Sequence, residues 1–176
     1  MTIPAAKTSK ETPKEPGLLD PDTAVSWIMN REVITVRPDL TLESLEEMLL
    51  TQDLSRVPVV DRESKLVGIV SKTDLLAFRH DEGDRLEPEP VKLSARRGVK
   101  YTPGPGFHES DEGRMFVSDI MHTEVLTVTP ETPVARAAEV MAVNRVHGLP
   151  VISPQRTVVG WVSTLDILSW VAGLTW

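Results

Sequence analysis

Large apolar side chains in this chain fall into two blocks, one after a polar start and one after a second polar stretch. The first block opens with Val33-Ile-Thr-Val36, a run of β-branched residues closed by Pro38, which predicts a short strand. Leu42, Leu45 and Leu49 then recur at helical spacing, with Thr41 placed to cap the first turn. Two apolar runs, residues 57–60 and 66–70, flank the turn-like residues 61–65 and predict a pair of strands. A second helix is predicted from Thr73 to His80. The later block follows the same order. It has a strand at Val125-Leu-Thr-Val128, a helix with Val134, Ala137, Ala138 and Met141 on one face behind Pro133, and a closing helix, Leu165 to Ala172, ended by Gly173. The predicted order is β-α-β-β-α, twice, an α/β (α+β) fold.

The repetition extends to the residues themselves. Val25-Ser-Trp-Ile-Met29 returns as Val117-Ser-Asp-Ile-Met121, Pro58-Val59 as Pro150-Val151, and Gly68-Ile-Val-Ser-Lys-Thr-Asp74 as Gly160-Trp-Val-Ser-Thr-Leu-Asp166. Without a gap, 18 of the 52 positions paired between 25–76 and 117–168 are identical, against roughly three expected from ordinary residue usage. That is an internal duplication. A single copy of about 50 residues is too small to bury two helices and a sheet well, so the copies are expected to pack as a pseudo-twofold pair. The boundaries are a tail at 1–20, the first copy at 21–79, a connecting stretch at 80–115 and the second copy at 116–176. The tail is rich in Thr, Lys, Glu and Pro and cannot offset its ordering entropy, so it is expected to be flexible. The connecting stretch holds Glu87-Pro88, Glu89-Pro90, a basic run from Lys92 to Lys100 and Pro103-Gly-Pro-Gly106. It is long for a plain connection and reads as a mobile linker or a functional loop.

Composition narrows the function classes. The chain has 176 residues, 19 Lys and Arg against 26 Asp and Glu, a net charge of −7, and no cysteine. Disulfide scaffolds, thiol catalysis and Cys-ligated metal sites are therefore excluded. The acidic balance is a poor match for nucleic-acid phosphates or anionic lipid, so neither nucleic acid nor membrane is expected as a partner. No run approaches the ~20 apolar residues of a membrane span. Met1 to Pro16 lacks the apolar stretch of a signal peptide. A cytoplasmic globular protein is the expectation.

The candidate chemistry lies in the duplicated Ser71-Lys-Thr-Asp74 and Ser163-Thr-Leu-Asp166, each where a strand gives way to a helix. Locally, Ser-x-x-Asp reads first as a capping box with Asp in place of Glu or Gln. It also suits a ligand: a helix start offers unpaired N–H groups to phosphate, and a carboxylate accepts from vicinal hydroxyls. Other groupings are weaker. His108-Glu-Ser-Asp-Glu112 has one histidine and no ligand spacing, and no metal site is expected. Lys92, Arg96, Arg97 and Lys100 read as a solvated charge run. No phosphate-binding Gly-rich loop, zinc-protease motif or nucleophile elbow is present, and no catalytic residue is assigned.

The four repeated features, Val-x-x-Ile-Met, Thr-Val-x-Pro, Pro-Val and Gly-h-h-Ser-x-x-Asp (h, apolar), resemble a tandem pair of cystathionine-β-synthase (CBS) domains, the Bateman module. The resemblance covers nearly everything but the tail and the connecting stretch. It implies two clefts between the copies that bind adenosine ligands such as AMP, ADP, ATP or S-adenosylmethionine, with no cofactor required. It further implies a homodimer and a regulatory role toward an unknown effector protein rather than catalysis. Carried over residue by residue, Asp74 and Asp166 would hold ribose, while Ser71, Thr73 and Ser163 would bond ribose or phosphate. Arg56 and His147, before the shared Pro-Val, would reach phosphates; Ile34 and Leu126 would wall the adenine. The copies depart from the family pattern: Gly148 stands where Arg56 stands, and Leu165 where Thr73 does. The alternative expectation is a ligand-independent dimerisation or scaffold module.

Overall fold

The computed structural model describes residues 20, 22–83 and 114–174. Most of the tail, most of the connecting stretch with its basic run, and His108–Glu112 lie outside the described residues. Each copy contributes two helices and an antiparallel hairpin. The first has α1 (Leu42–Thr51), β1 (Arg56–Val60), β2 (Leu66–Ser71) and α2 (Lys72–Gly83). The second opens on the four-residue α3 (Val117–Ile120) and continues with α4 (Val134–Asn144), β3 (Gly148–Ile152), β4 (Val158–Ser163) and α5 (Thr164–Val171). The hairpins are registered alike, Arg56 opposite Ser71 and Gly148 opposite Ser163, with a shift at Val59/Val60 and at Val151/Ile152. In the β1–β2 turn the Asp61 carboxylate accepts from the Lys65 and Glu63 N–H groups, and these bonds hold its pKa below the usual aspartate value. Ser153 does the equivalent work in the β3–β4 turn, accepting from Thr157 N–H.

Thr41 caps α1 through its side chain, and Gly173 follows the C-cap of α5 at φ 69°, both as the sequence predicts. The expected first strand of each copy is different. It shrinks to one parallel bridge, Val36 with Val59 and Val128 with Val151. The cause is proline on both sides. Val36 N–H donates to Pro58 O and its carbonyl accepts from Val60 N–H. Extending the ladder would require an N–H from Pro58 in one direction and from Pro38 in the other, and neither has one. Pro150 and Pro130 impose the same limit on the second copy.

The Val-x-x-Ile-Met segments cross over. Val25, Ile28 and Met29 are buried in the core of the second copy with Val128, Val134, Ala137, Met141, Leu149, Val151 and Val162. Val117 and Ile120 are buried in the core of the first, with Leu42, Leu45, Leu49, Val57, Val59 and Val70. Backbone bonds fix the exchange: Val25 N–H donates to Thr132 O and Ser26 N–H to Pro130 O, mirrored by Val117 to Leu40 O and Ser118 to Pro38 O. The two segments are not equally helical. Asp119 accepts from Phe116 N–H at 2.8 Å and stabilises a first turn, whereas Trp27 stands at its position in the first copy and residues 25–27 form a 3-10 turn.

Past each methionine the exchanged chain lies against the partner hairpin. His122 and Ile69 trade both backbone bonds at 2.9 Å, as Asn30 and Trp161 do at 2.8 Å. Such approach requires glycine in the strand alongside. A Cβ on Gly68 would lie 2.8 Å from Met121 Sδ and 3.0 Å from His122 O; one on Gly160 would lie 2.5 Å from Met29 Sδ. Gly68→Ala therefore pushes the His122 segment off β2, and we expect it to lower stability by about 1–3 kcal/mol in urea unfolding. Unchanged stability would mean that the crossing does not need this contact.

Candidate functional site

Three elements meet at a cleft of ≈ 310 Å³ between the copies: the end of β2 with the start of α2, the segment 122–126 after the second methionine, and the start of β3. The β1–β2 register sets Arg56 opposite Ser71, so a guanidinium stem flanks the start of α2. Arg56, Ser71, Thr73, Asp74 and Leu126, all candidates from the sequence, line this cleft together with Ile69, Val125, His122 and Glu124. Leu126 is exposed at 43% and Val125 stands beside it, an apolar wall facing the charged rim.

Ser71 and Asp74 form the capping box that the local sequence favours. The Asp74 Oδ2 accepts from Ser71 N–H at 2.7 Å and from Ser71 Oγ at 2.6 Å, and Asp74 N–H returns a bond to Ser71 Oγ at 3.3 Å. Ser163 and Asp166 repeat the motif at 2.6, 2.6 and 3.2 Å. Capping uses only one carboxylate oxygen in each copy. The other Asp74 oxygen, Oδ1, points toward the cleft and meets His122 Nε2 at 3.0 Å, with the Asp74 side chain 19% exposed and that of His122 49% exposed. An ionised carboxylate only accepts, so the imidazole donates from Nε2.

His122 is the site residue that sequence reasoning missed. It directly follows the repeated Val-x-x-Ile-Met, opposite Asn30, and a difference between the copies at that position was the available signal. Among the described residues Asn30 makes no equivalent contact: its Oδ1 accepts from Glu32 N–H within its own turn.

The remaining candidates lie apart from this cleft. Ser163 and Asp166 sit at the start of α5, and Ile34, 39% exposed, follows the Asn30 segment that pairs with β4. His147 lines a separate apolar groove of ≈ 450 Å³ with Ala138, Met141, Arg145, Ile167 and Leu168, among others. Leu165, in place of Thr73, is 66% exposed. Where the first copy has Arg56, the second has Gly148, and a Cβ there would lie 2.6 Å from the Trp161 indole. Among the described residues no cluster of three or more acidic, His or Cys side chains could hold a metal, and no helix is long and apolar enough to cross a membrane.

Comparison with known proteins agrees with this architecture. The family model for the CBS domain matches residues 25–81 and 117–173, more than half of the chain. A CBS domain-containing protein of Dictyostelium discoideum is 29% identical over 150 residues, covering 82% of this chain and 88% of its own. A homoserine O-acetyltransferase of Methanohalobium evestigatum is 26% identical over 145 residues, 82% of this chain but only 23% of the enzyme. Among solved structures, a CBS domain pair in complex with 5-methylthioadenosine and S-adenosyl-L-methionine superposes with a TM-score of 0.64 at 23% identity, covering 87% of this chain and 98% of that one. CBSX2 in complex with AMP gives 0.64 at 22% identity, covering 85% and 96%. At these identities the structural likeness is one of fold.

Because each Ser-x-x-Asp is a cap whatever else it does, Ser163→Ala is expected to cost about 0.5–2 kcal/mol of stability, read as a lower unfolding midpoint. An unchanged midpoint would show that the α5 start does not depend on the box.

Proposed function

This chain belongs to the CBS domain family, and we propose that it is a regulatory module that binds an adenosine-containing ligand between its two copies and signals occupancy to a partner protein. The observation that carries the reading is the convergence, in one cleft, of the three chemistries such a ligand needs. The start of α2 with Ser71 and Thr73 suits phosphate or sugar oxygens, the Asp74 carboxylate suits hydroxyls, and Val125 with Leu126 offers an apolar surface to the base. Similar folds solved with AMP, and with 5-methylthioadenosine and S-adenosyl-L-methionine, support the ligand class. Asp166, Ser163 and Ile34 would form the corresponding second site, with His147 near it, in a cytoplasmic setting. Catalysis is no part of the proposal.

Charge refines the choice among adenosine ligands. The cleft sets one guanidinium, Arg56, against two carboxylates, Asp74 and Glu124. Such a lining disfavours a triphosphate and suits a monophosphate or a cationic adenosyl compound. Thermal unfolding with AMP, ADP, ATP or S-adenosylmethionine tests this. At 100 times its dissociation constant a ligand adds about 2.7 kcal/mol, roughly 5–10 °C at this chain length. We expect that shift with AMP or S-adenosylmethionine and a smaller one with ATP at equal concentration. No shift with any of them, in folded protein free of bound nucleotide, would transfer the reading to a scaffold.

A dimer is proposed on a separate observation. Val143, Leu165, Leu168, Val171 and Leu174 are exposed on α4, α5 and the turn after it, at 48–74%. An apolar surface can face its own copy across a twofold axis without pairing like charges, which favours a second copy as occupant. Leu168→Glu should therefore yield a monomer by light scattering where the parent is a dimer. A monomeric parent, or a dimer unaffected by the change, would refute this interface.

A further inference from the structure

The two Ser-x-x-Asp carboxylates are alike in sequence and in their caps, yet they differ in what remains free. A carboxylate offers about four acceptor positions, two on each oxygen. In both copies the cap fills the two on Oδ2. On Asp74 the His122 imidazole takes one of the two on Oδ1. Oδ1 of Asp166 has no hydrogen-bond partner among the described residues, because Asn30, at the position of His122, is turned into its own loop. One carboxylate can therefore accept a single further hydroxyl, the other two.

From this difference, and resting on the reading of the cleft as an adenosine-ligand site, we infer that His122 is a latch on the first cleft. A vicinal diol seats fully on Asp74 only when the imidazole releases Oδ1, whereas Asp166 accepts both hydroxyls as it stands. The latch is well placed to act. The His122 backbone is pinned by its two bonds to Ile69, so the imidazole hangs beside Asp74 by its side-chain torsions alone, and at 49% exposure it has room to swing outward. The groups facing it in the cleft are Asp74, Glu124 and Arg56. His122 thus sets the sugar specificity of one cleft and makes the two sites unequal in affinity, although their carboxylates and caps are the same. A ligand with one hydroxyl, such as a 2′-deoxynucleotide, meets no latch.

The test isolates the first cleft with Asp166→Asn, whose amide oxygen keeps the α5 cap while its NH2 replaces the second acceptor. Titration calorimetry then compares AMP and 2′-deoxy-AMP with and without His122→Asn, the residue that the other copy already carries. We expect His122→Asn to raise AMP affinity about three- to tenfold, and to change 2′-deoxy-AMP by less than twofold. His122→Ala should change AMP affinity in the same direction. Circular dichroism and the unfolding midpoint confirm that each variant is folded. An equal rise for both nucleotides, no change, or weaker AMP binding would overturn the latch. AMP binding by the parent chain that is lost in Asp166→Asn and not restored by His122→Asn would also overturn it, while leaving a nucleotide site at Asp166. Absence of AMP binding in the parent itself would instead remove the adenosine-ligand reading, and the latch with it.

Discussion

The crossing of the two Val-x-x-Ile-Met segments is the contact on which the rest of this structure depends. Each segment is covalently part of one copy and physically part of the core of the other, with Val25 and Val117 fully buried there. Neither hairpin-and-helix unit has a complete core alone, which is the expected difficulty of a unit of about 50 residues. The crossing also builds the cleft. After Met121 the chain runs along β2, held by the paired bonds of His122 and Ile69, and residues 124–126 then form a wall opposite the start of α2. The repeated glycines follow from the same constraint, since Gly68 and Gly160 are where the crossing backbone approaches too closely for a Cβ.

Duplication fixes the backbone plan, and divergence of side chains then differentiates the halves without disturbing it. Trp27 for Asp119 removes a carboxylate cap and leaves a 3-10 turn, but the buried valine, isoleucine and methionine keep their places. Arg56, Ile69, Thr73 and His122 of the first cleft correspond in the repeat to Gly148, Trp161, Leu165 and Asn30, of which Gly148 lines that same cleft. The Gly148 and Trp161 changes are coupled: the indole occupies the space a side chain at 148 would need. Charge, hydrogen-bonding capacity and shape therefore differ between the two sets, while the Ser-x-x-Asp caps remain the same to within 0.1 Å in each bond.

Much of this was legible in the sequence because it is set locally or by repetition. Helical spacing located α1 and α4, Thr41 marked a cap, and the fixed offset revealed the pair. The first strands are shorter than predicted because β-branched residues 33–36 carry the propensity for a strand, while the ladder also needs donors from a second segment. Pro38 and Pro58 remove those donors on opposite sides, a conflict seen only when the two segments are laid parallel. The crossing itself was not legible: an apolar segment fits either copy's core, and with near-identical motifs in both copies no local pattern says which. His122 carries little signal for a related reason: the motifs that mark the duplication are what the copies share, and position 122 is one where they differ.

The capping and ligand-binding readings of Ser-x-x-Asp compete at the level of sequence, but the lone pairs of the carboxylate leave room for both. The cap consumes one oxygen completely, with the serine N–H and hydroxyl converging on Oδ2. That bond set fixes the rotamer of the aspartate and orients its second oxygen, so the structural role prepares whatever the second oxygen does. Losing the carboxylate would also remove the half of the capping box that bonds the serine N–H. Occupying the spare oxygen from a neighbouring segment alters the site and leaves the helix start intact. In a duplicated fold whose two copies share that helix start, the neighbouring segment is the less costly place for the copies to diverge. Position 122, one residue past the partly buried Met121 and with its backbone pinned to Ile69, is where this chain sets a side chain on one such oxygen.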